Sequence, residues 1–235
     1  MTKQIANQDR LIFALDVADT DTARELVTTL GDSVNFYKIG LELCMSGGYF
    51  ELLDWLVARD KKVFVDLKFF DVPATVAAAV RSLRNRGVTY ATIHGNQSIM
   101  EAAGEAKGDV KILSVTALTS LDRGDLDDLG FQCDVRELVL SRARRSLEAG
   151  CDGVIASGLE VEALRSAVDD KLLVITPGIR PVENRPEDDQ KRVVTVEDAF
   201  RKGADHIVVG RPIRNADDPR AAAAAIQQTI AGVFA

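Results

Sequence analysis

Eight short apolar runs recur along the chain, each followed by a stretch whose apolar residues return at helical spacing, and this alternation constrains the fold more than any other feature. The runs lie at 11–17, 36–40, 62–67, 89–94, 110–117, 153–157, 172–178 and 205–210. Each is nearly continuously apolar, the pattern of a strand buried on both faces of a parallel sheet. Amphipathic segments between them include 21–30, 49–59, 73–86 and 135–149, and 219–230 reads as a closing helix. Gly87, Gly150 and Gly203 each stand just before a new strand, where helix C-caps are expected. No linker rich in Pro, Gly or Ser divides the units, and 235 residues suit one barrel. The expected architecture is a single α/β domain over 1–235, closed as a (β/α)8 TIM barrel. An open doubly wound sheet is the alternative, but the Gly-x-Gly-x-x-Gly fingerprint that would support it does not follow the first strand.

Bulk properties narrow the partners. A net charge of −7 with no basic stripe argues against nucleic acid. It leaves room for a small anionic ligand, since a few focused cations hold one phosphate. Arg142, Arg144 and Arg145 sit at helical spacing and read as a solvated face. Cys44, Cys133 and Cys151 show no paired or metal-type spacing, which fits packing roles in a reducing cytoplasm. Residues 1–10 are polar, unlike a secretion signal, and no run approaches the roughly 20 apolar residues of a membrane helix. The expectation is a cytoplasmic protein with no membrane partner. Trp55, with Leu52, Leu53 and Leu56, reads as packing of a helix on the barrel.

In a barrel, active residues come from the carboxyl ends of the strands. Here those positions carry Asp16, Lys38, Asp66 with Lys68, His94, Thr116 followed by Thr119 and Ser120, Arg180, and Gly210 with Arg211. A charge in an apolar strand costs several kcal/mol unless it is paired. Three strands with charges of alternating sign therefore imply one shared network. Asp66 and Lys68 project to the same side if their strand continues that far. Lys38, Asp66, Lys68 and Asp71 would form an alternating chain in which carboxylates keep both lysines charged. Pro73 suits the first turn of the next helix. Gly210-Arg211 stands where phosphate-binding barrels hold their anion, although a glycine turn with a solvent-facing arginine fits equally well. Arg180 and Gln190 would complete that clamp, and 181–191 reads either as a lid over it or as an ordinary surface loop. His94 and His206 read as structural histidines.

Several runs then carry a resemblance: Ala14-Leu15-Asp16, Lys38-Ile39-Gly40, Asp66-Leu67-Lys68-Phe69-Phe70-Asp71-Val72-Pro73-Ala74-Thr75, Leu118-Thr119-Ser120, Pro177-Gly178-Ile179-Arg180, Asp189-Gln190 and Val209-Gly210-Arg211-Pro212. In this order, across nearly the whole chain, they resemble the orotidine 5'-phosphate decarboxylases in their bacterial form. Ala74 departs from the usual Asn, and His94-Gly95-Asn96 replaces a more usual small-residue sequence. The resemblance implies decarboxylation of orotidine 5'-monophosphate to UMP, the final step of de novo pyrimidine nucleotide synthesis, with no metal and no organic cofactor. Lys68 would protonate C6 as CO2 leaves, and Asp66 would sit against the substrate carboxylate. Lys38 and Asp16 would meet the ribose hydroxyls, and Thr119 with Ser120 the pyrimidine. Gln190, Gly210 and Arg211 would bind the 5'-phosphate, with Arg180 close by. Asp71 and Thr75 would reach into a second subunit, so the working unit would be a homodimer.

The nearest rival is a sugar-phosphate enzyme such as 3-keto-L-gulonate-6-phosphate decarboxylase, which shares the Asp-x-Lys-x-x-Asp core. That group uses Mg2+ and usually has an acid where this chain has Lys38, so the cation argues against it. A barrel that binds a phosphate ligand without catalysis is the non-enzymatic alternative, and the intact charged positions speak against it.

Overall fold

The computed structural model describes residues 3–180 and 193–235. Eight parallel strands close in chain order: β1 (Leu11–Ala14), β2 (Phe36–Gly40), β3 (Lys62–Phe69), β4 (Val88–His94), β5 (Lys111–Val115), β6 (Gly153–Ile155), β7 (Leu173–Thr176) and β8 (His206–Val209). β1 pairs in parallel with both β2 and β8, so the sheet has no edge and the open-sheet alternative is excluded. Among the described residues the helices are α1 (Thr20–Leu30), α2 (Leu41–Ser46), α3 (Tyr49–Val57), α4 (Pro73–Ser82), α5 (Gln97–Ala106), α6 (Arg123–Asp128), α7 (Val135–Glu148), α8 (Val161–Ala167), α9 (Val196–Arg201), α10 (Arg211–Arg214) and α11 (Pro219–Val233). None of them is long and apolar enough to cross a membrane.

Helix boundaries follow local chemistry. The Asp19 carboxylate accepts the Thr22 N–H at the start of α1. Asp134 and Glu137 exchange bonds in a capping box that opens α7, relieving amides that have no intrahelical partner. At the other end of α7, Gly150 takes φ +78 and the amide of Cys151 reaches back to the carbonyl of Ser146. Gly203 closes α9 in the same way, with φ +103. Gly87 differs from its expected role: α4 stops at Ser82, and the residues that follow form a turn before Gly87.

Each strand divides its side chains between two cores, which is why the runs are apolar throughout. Ile12, Phe36, Phe64, Tyr90, Leu113, Ile175 and Val208 fill the barrel lumen. Phe13, Tyr37, Ile39, Val63, Val65, Ala91 and Val209 face the surrounding helices. The period of two carries this inward parity up the strands, so the next inward residues above Phe36, Phe64 and Tyr90 are Lys38, Asp66 and Thr92. Several expected runs also overshoot their strands. Leu15, Val17, Ala117 and Ala156 are buried but lie beyond the ends of their strands. Asp16 accordingly stands in the loop after β1, not at the strand's end.

The amino-terminal rim is polar too, but its charges close the structure. The Asp205 carboxylate accepts from Lys3 Nζ at 2.7 Å, Arg165 Nη2 at 2.6 Å and the Val174 amide at 2.8 Å. His206 lies 2.9 Å from the Asp9 carbonyl through Nδ1 and 2.9 Å from the Tyr90 hydroxyl through Nε2. A carbonyl only accepts, so Nδ1 carries the proton and Nε2 accepts from Tyr90. This is the structural role expected of His206.

Burial, the largest influence, pushes the His206 pKa down from 6.5 to about 4. An unfolded chain binds the proton near pH 6.5, whereas the folded chain resists it until about 4. The resulting stability is complete above pH 6.5 and lost as pH falls toward 4, on the order of 3 kcal/mol in full. Urea unfolding over this range should show wild type losing stability more steeply than His206→Gln. Parallel pH profiles would contradict it.

Candidate active site

A row of alternating charges crosses the mouth of the barrel. Lys38 Nζ lies 3.0 Å from Asp16 Oδ1 and 3.3 Å from Asp66 Oδ2, and Lys68 Nζ lies 3.0 Å from Asp66 Oδ1. Gly40 and Asp66 are register partners, so the pairing of β2 with β3 itself brings these charges together. Burial alone would lower the Lys38 pKa, but Asp66 and Asp16 beside it more than compensate and raise it. Burial alone would raise the pKa of Asp66, yet Lys38, Lys68 and Thr92 hold it below the usual carboxylate value. The ionised forms are thus the stable ones inside the barrel.

Lys68 reaches the row by an irregular path. Val65 pairs with Ala91 and Phe69 with Ile93, so three residues of β3 stand opposite Thr92 alone. Within this bulge Lys68 takes φ +48, a left-handed conformation costly for a side-chain-bearing residue. Thr92 holds it there: its hydroxyl accepts from the Lys68 amide at 3.0 Å and donates to Asp66 Oδ1 at 2.9 Å. The bulge aims Lys68, rather than the simple strand alternation expected.

Asp71 corrects the expected network. It is exposed, its carboxylate accepts from the Val72 amide, and among the described residues it joins no ion pair within the chain. The alternating row is Asp16–Lys38–Asp66–Lys68, with Asp16 in the fourth place. Thr75, on the first turn of α4, is exposed and lies away from the cleft.

The row forms one wall of a cleft of about 520 Å³. Thr119, Ser120, Arg180, Gly210 and Arg211 also line it, so the structure brings together nine of the twelve residues singled out from the sequence. Asp71 and Thr75 stay outside it. Gln190 and the 181–191 stretch lie outside the described residues. Phe64, Val115, Ile155 and Val208 supply an apolar floor, suited to a flat ring.

Three side chains at this rim were not foreseen. Thr92 is one of three hydroxyl residues in β4, beside Thr89 and Tyr90, and nothing in the sequence set it apart. Arg214 lines the cleft and donates through Nη1 to the carbonyl of Asp16. Arg142 departs from the solvated face expected of it, donating from Nη1 to the carbonyl of Thr116 at 2.6 Å. A Cβ on Gly95 would stand 2.7 Å from the Val115 carbonyl and 3.0 Å from Arg142 Cδ, so the departure at 94–96 includes a position with no room for a side chain. His94 stacks on Phe70 with ring centroids 4.5 Å apart and stays outside the cleft lining. Burial, then Arg142 and Lys68, pull its pKa down.

Removing Lys38 leaves Asp66 only Lys68, and removing Asp66 leaves Lys38 only Asp16, each at a cost of up to about 3 kcal/mol. Lys38→Met and Asp66→Asn should each destabilise the protein in urea unfolding. Their combination should cost less than the sum by at least about 1 kcal/mol. Additive losses would show that the two side chains do not interact.

The comparisons with known proteins agree with this geometry. Residues 9–226 match the Orotidine 5'-phosphate decarboxylase / HUMPS family. The chain is 67% identical over 233 residues to the orotidine 5'-phosphate decarboxylase of Methylococcus capsulatus, covering 99% of this chain and 96% of that one. It is 53% identical to the Stenotrophomonas maltophilia enzyme of the same name, covering 98% and 96%. The crystal structure of orotidine 5'-phosphate decarboxylase from Lactobacillus acidophilus superposes with a TM-score of 0.83 at 34% identity, over 94% of this chain and 99% of that one. The eight-stranded closed barrel, the charged row in its mouth and these similarities lead to one conclusion: the chain belongs to the orotidine 5'-phosphate decarboxylase / HUMPS family.

Proposed function

We propose that this protein is a carboxy-lyase that converts orotidine 5'-monophosphate to UMP and CO2, the final step of de novo pyrimidine nucleotide synthesis. The observation that carries this reading is the Lys68 ammonium, 3.0 Å from a buried Asp66 that is itself 3.3 Å from Lys38. The rival sugar-phosphate group usually has an acid at position 38, and Lys38 is instead held charged between two carboxylates.

Loss of CO2 from C6 leaves an electron pair in the plane of the pyrimidine, where the ring π system does not absorb it. A charge fixed beside that carbon is then the stabilising group. Lys68 takes this role and delivers the proton that completes UMP. Its aim is set by Asp66 and by the bulge before any substrate arrives, so little reorganisation accompanies the reaction. Asp66 lies against the substrate carboxylate, and their repulsion vanishes as neutral CO2 forms. Asp16 and Lys38 meet the ribose hydroxyls, and Thr119 and Ser120 the ring. Arg180, Gln190, Gly210 and Arg211 take the phosphate. Binding energy gained there, remote from the reacting carbon, raises turnover if it drives closure of 181–191.

The working unit in this reading is a homodimer, with Asp71 and Thr75 serving the partner's site. Exposed apolar side chains support it: Leu41 and Met45 follow β2, and Phe70 and Val72 flank Asp71 after β3, each more than half exposed. Large apolar side chains this exposed favour burial against another surface. The location is the cytoplasm, consistent with three free cysteines.

An ultraviolet assay of orotidylate consumption, with and without a chelator, tests the assignment. Wild type should be active in both. Lys68→Ala should lose several orders of magnitude in turnover while keeping the fold; a folded variant with a tenth of wild-type activity would falsify the role of Lys68. Mixing inactive Asp71→Ala and Lys68→Ala subunits should restore activity through hybrid dimers. No complementation after verified subunit exchange would place each site within one chain.

A further inference from the structure

Asp16 is the least anchored member of the charged row. β1 leaves the ladder at Ala14, and the last backbone bond beyond it is from Leu15 N to the Lys38 carbonyl at 2.9 Å. The Asp16 side chain is 48% exposed, so burial does not fix its carboxylate as it fixes that of Asp66. Yet this carboxylate sets one side of the Lys38 ammonium, and a Cβ on Gly210 would stand only 3.9 Å from its Oδ2.

Arg214 supplies the missing anchor. It ends α10, the short helix that begins at Arg211, and its side chain crosses the rim toward the first loop. Nη1 donates to the Asp16 carbonyl, and Nε donates to Asn215 Oδ1 at 3.0 Å. A guanidinium holds donors in a rigid planar fork, so the second bond fixes the direction of the first. Arg214 also lines the same cleft as Lys38, Asp66 and Arg211.

We propose that Arg214 is a positioning residue for the decarboxylation. It holds the Asp16 backbone so that the carboxylate stays on Lys38. This inference rests on the function proposed above. Its chemistry is that of a tether: a carbonyl is the acceptor, so reach and direction decide whether the bond forms.

Three variants and one structure test it. Arg214→Met should fold with an unchanged circular dichroism spectrum and lose about tenfold or more in kcat/KM, and Arg214→Lys should recover part of the loss. In an Asp16→Ala background, Arg214→Met should change kcat/KM by less than about twofold, because the group it positions is gone. A crystal structure of unliganded Arg214→Met should show the Lys38–Asp16 pair opened beyond the 3.0 Å of wild type. An equal loss in both backgrounds, or an intact pair in that structure, overturns the proposal. If Arg214→Met does not fold, Arg214→Ala decides by the same two readouts. Wild type that leaves orotidylate unconsumed defeats the assigned function instead, while the Lys38–Asp16 distance still decides whether Arg214 is the tether.

Discussion

A single carboxylate held between two ammonium groups organises this barrel's mouth. Asp66 is almost fully buried, and an unpaired charge there would cost several kcal/mol. Lys38 on the neighbouring strand and Lys68 on its own strand compensate for that burial, and neither could do so from another register. The pairing of β2 with β3, the closure of the sheet and the inward parity of both strands are therefore all conditions for this contact. Lys38 in turn depends on Asp16, which the loop after β1 must present from the far side. The row links three consecutive strands, and a shift in any one would strand a charge.

The two rims of the barrel use charge differently. At the amino-terminal rim, Asp205 collects Lys3, Arg165 and the Val174 amide, and His206 sits neutral between Tyr90 and the Asp9 carbonyl. Those groups face one another and seal the lumen. At the carboxyl rim the charges line an open cleft above an apolar floor, and Lys68 is held in a left-handed backbone conformation. Strain of this kind persists only where neighbours over-determine it, and Thr92 bonds both the Lys68 amide and the Asp66 carboxylate.

Much of this was legible in the residues. Continuous apolar runs announced buried parallel strands, and charges inside three of them announced a network, since isolated charges there would be too costly. What was not legible depends on backbone paths that a run of letters does not encode. Strand alternation placed Lys68 beside Asp66 for the wrong reason: the two meet through a bulge. Asp16 was read as a strand end, but β1 stops at Ala14 and Asp16 stands in the loop beyond it. Asp71 was assigned to the row from its position in the chain, whereas the chain turns it outward. Arg142 looked like an ordinary surface cation and Arg214 carried no signal, because their partners, the carbonyls of Thr116 and Asp16, are backbone atoms far away in sequence.

The central claim is that the charged row is assembled and ionised in the protein before substrate binds. Carbon-13 NMR of the Asp66 side chain in the unliganded protein tests it most directly. Asp66 should remain ionised as the pH falls through the ordinary aspartate range near 4, and replacing Lys38 by Met should bring its titration back up. An Asp66 that takes up its proton above that range in wild type, or that titrates identically with Lys38 removed, would contradict a preassembled row.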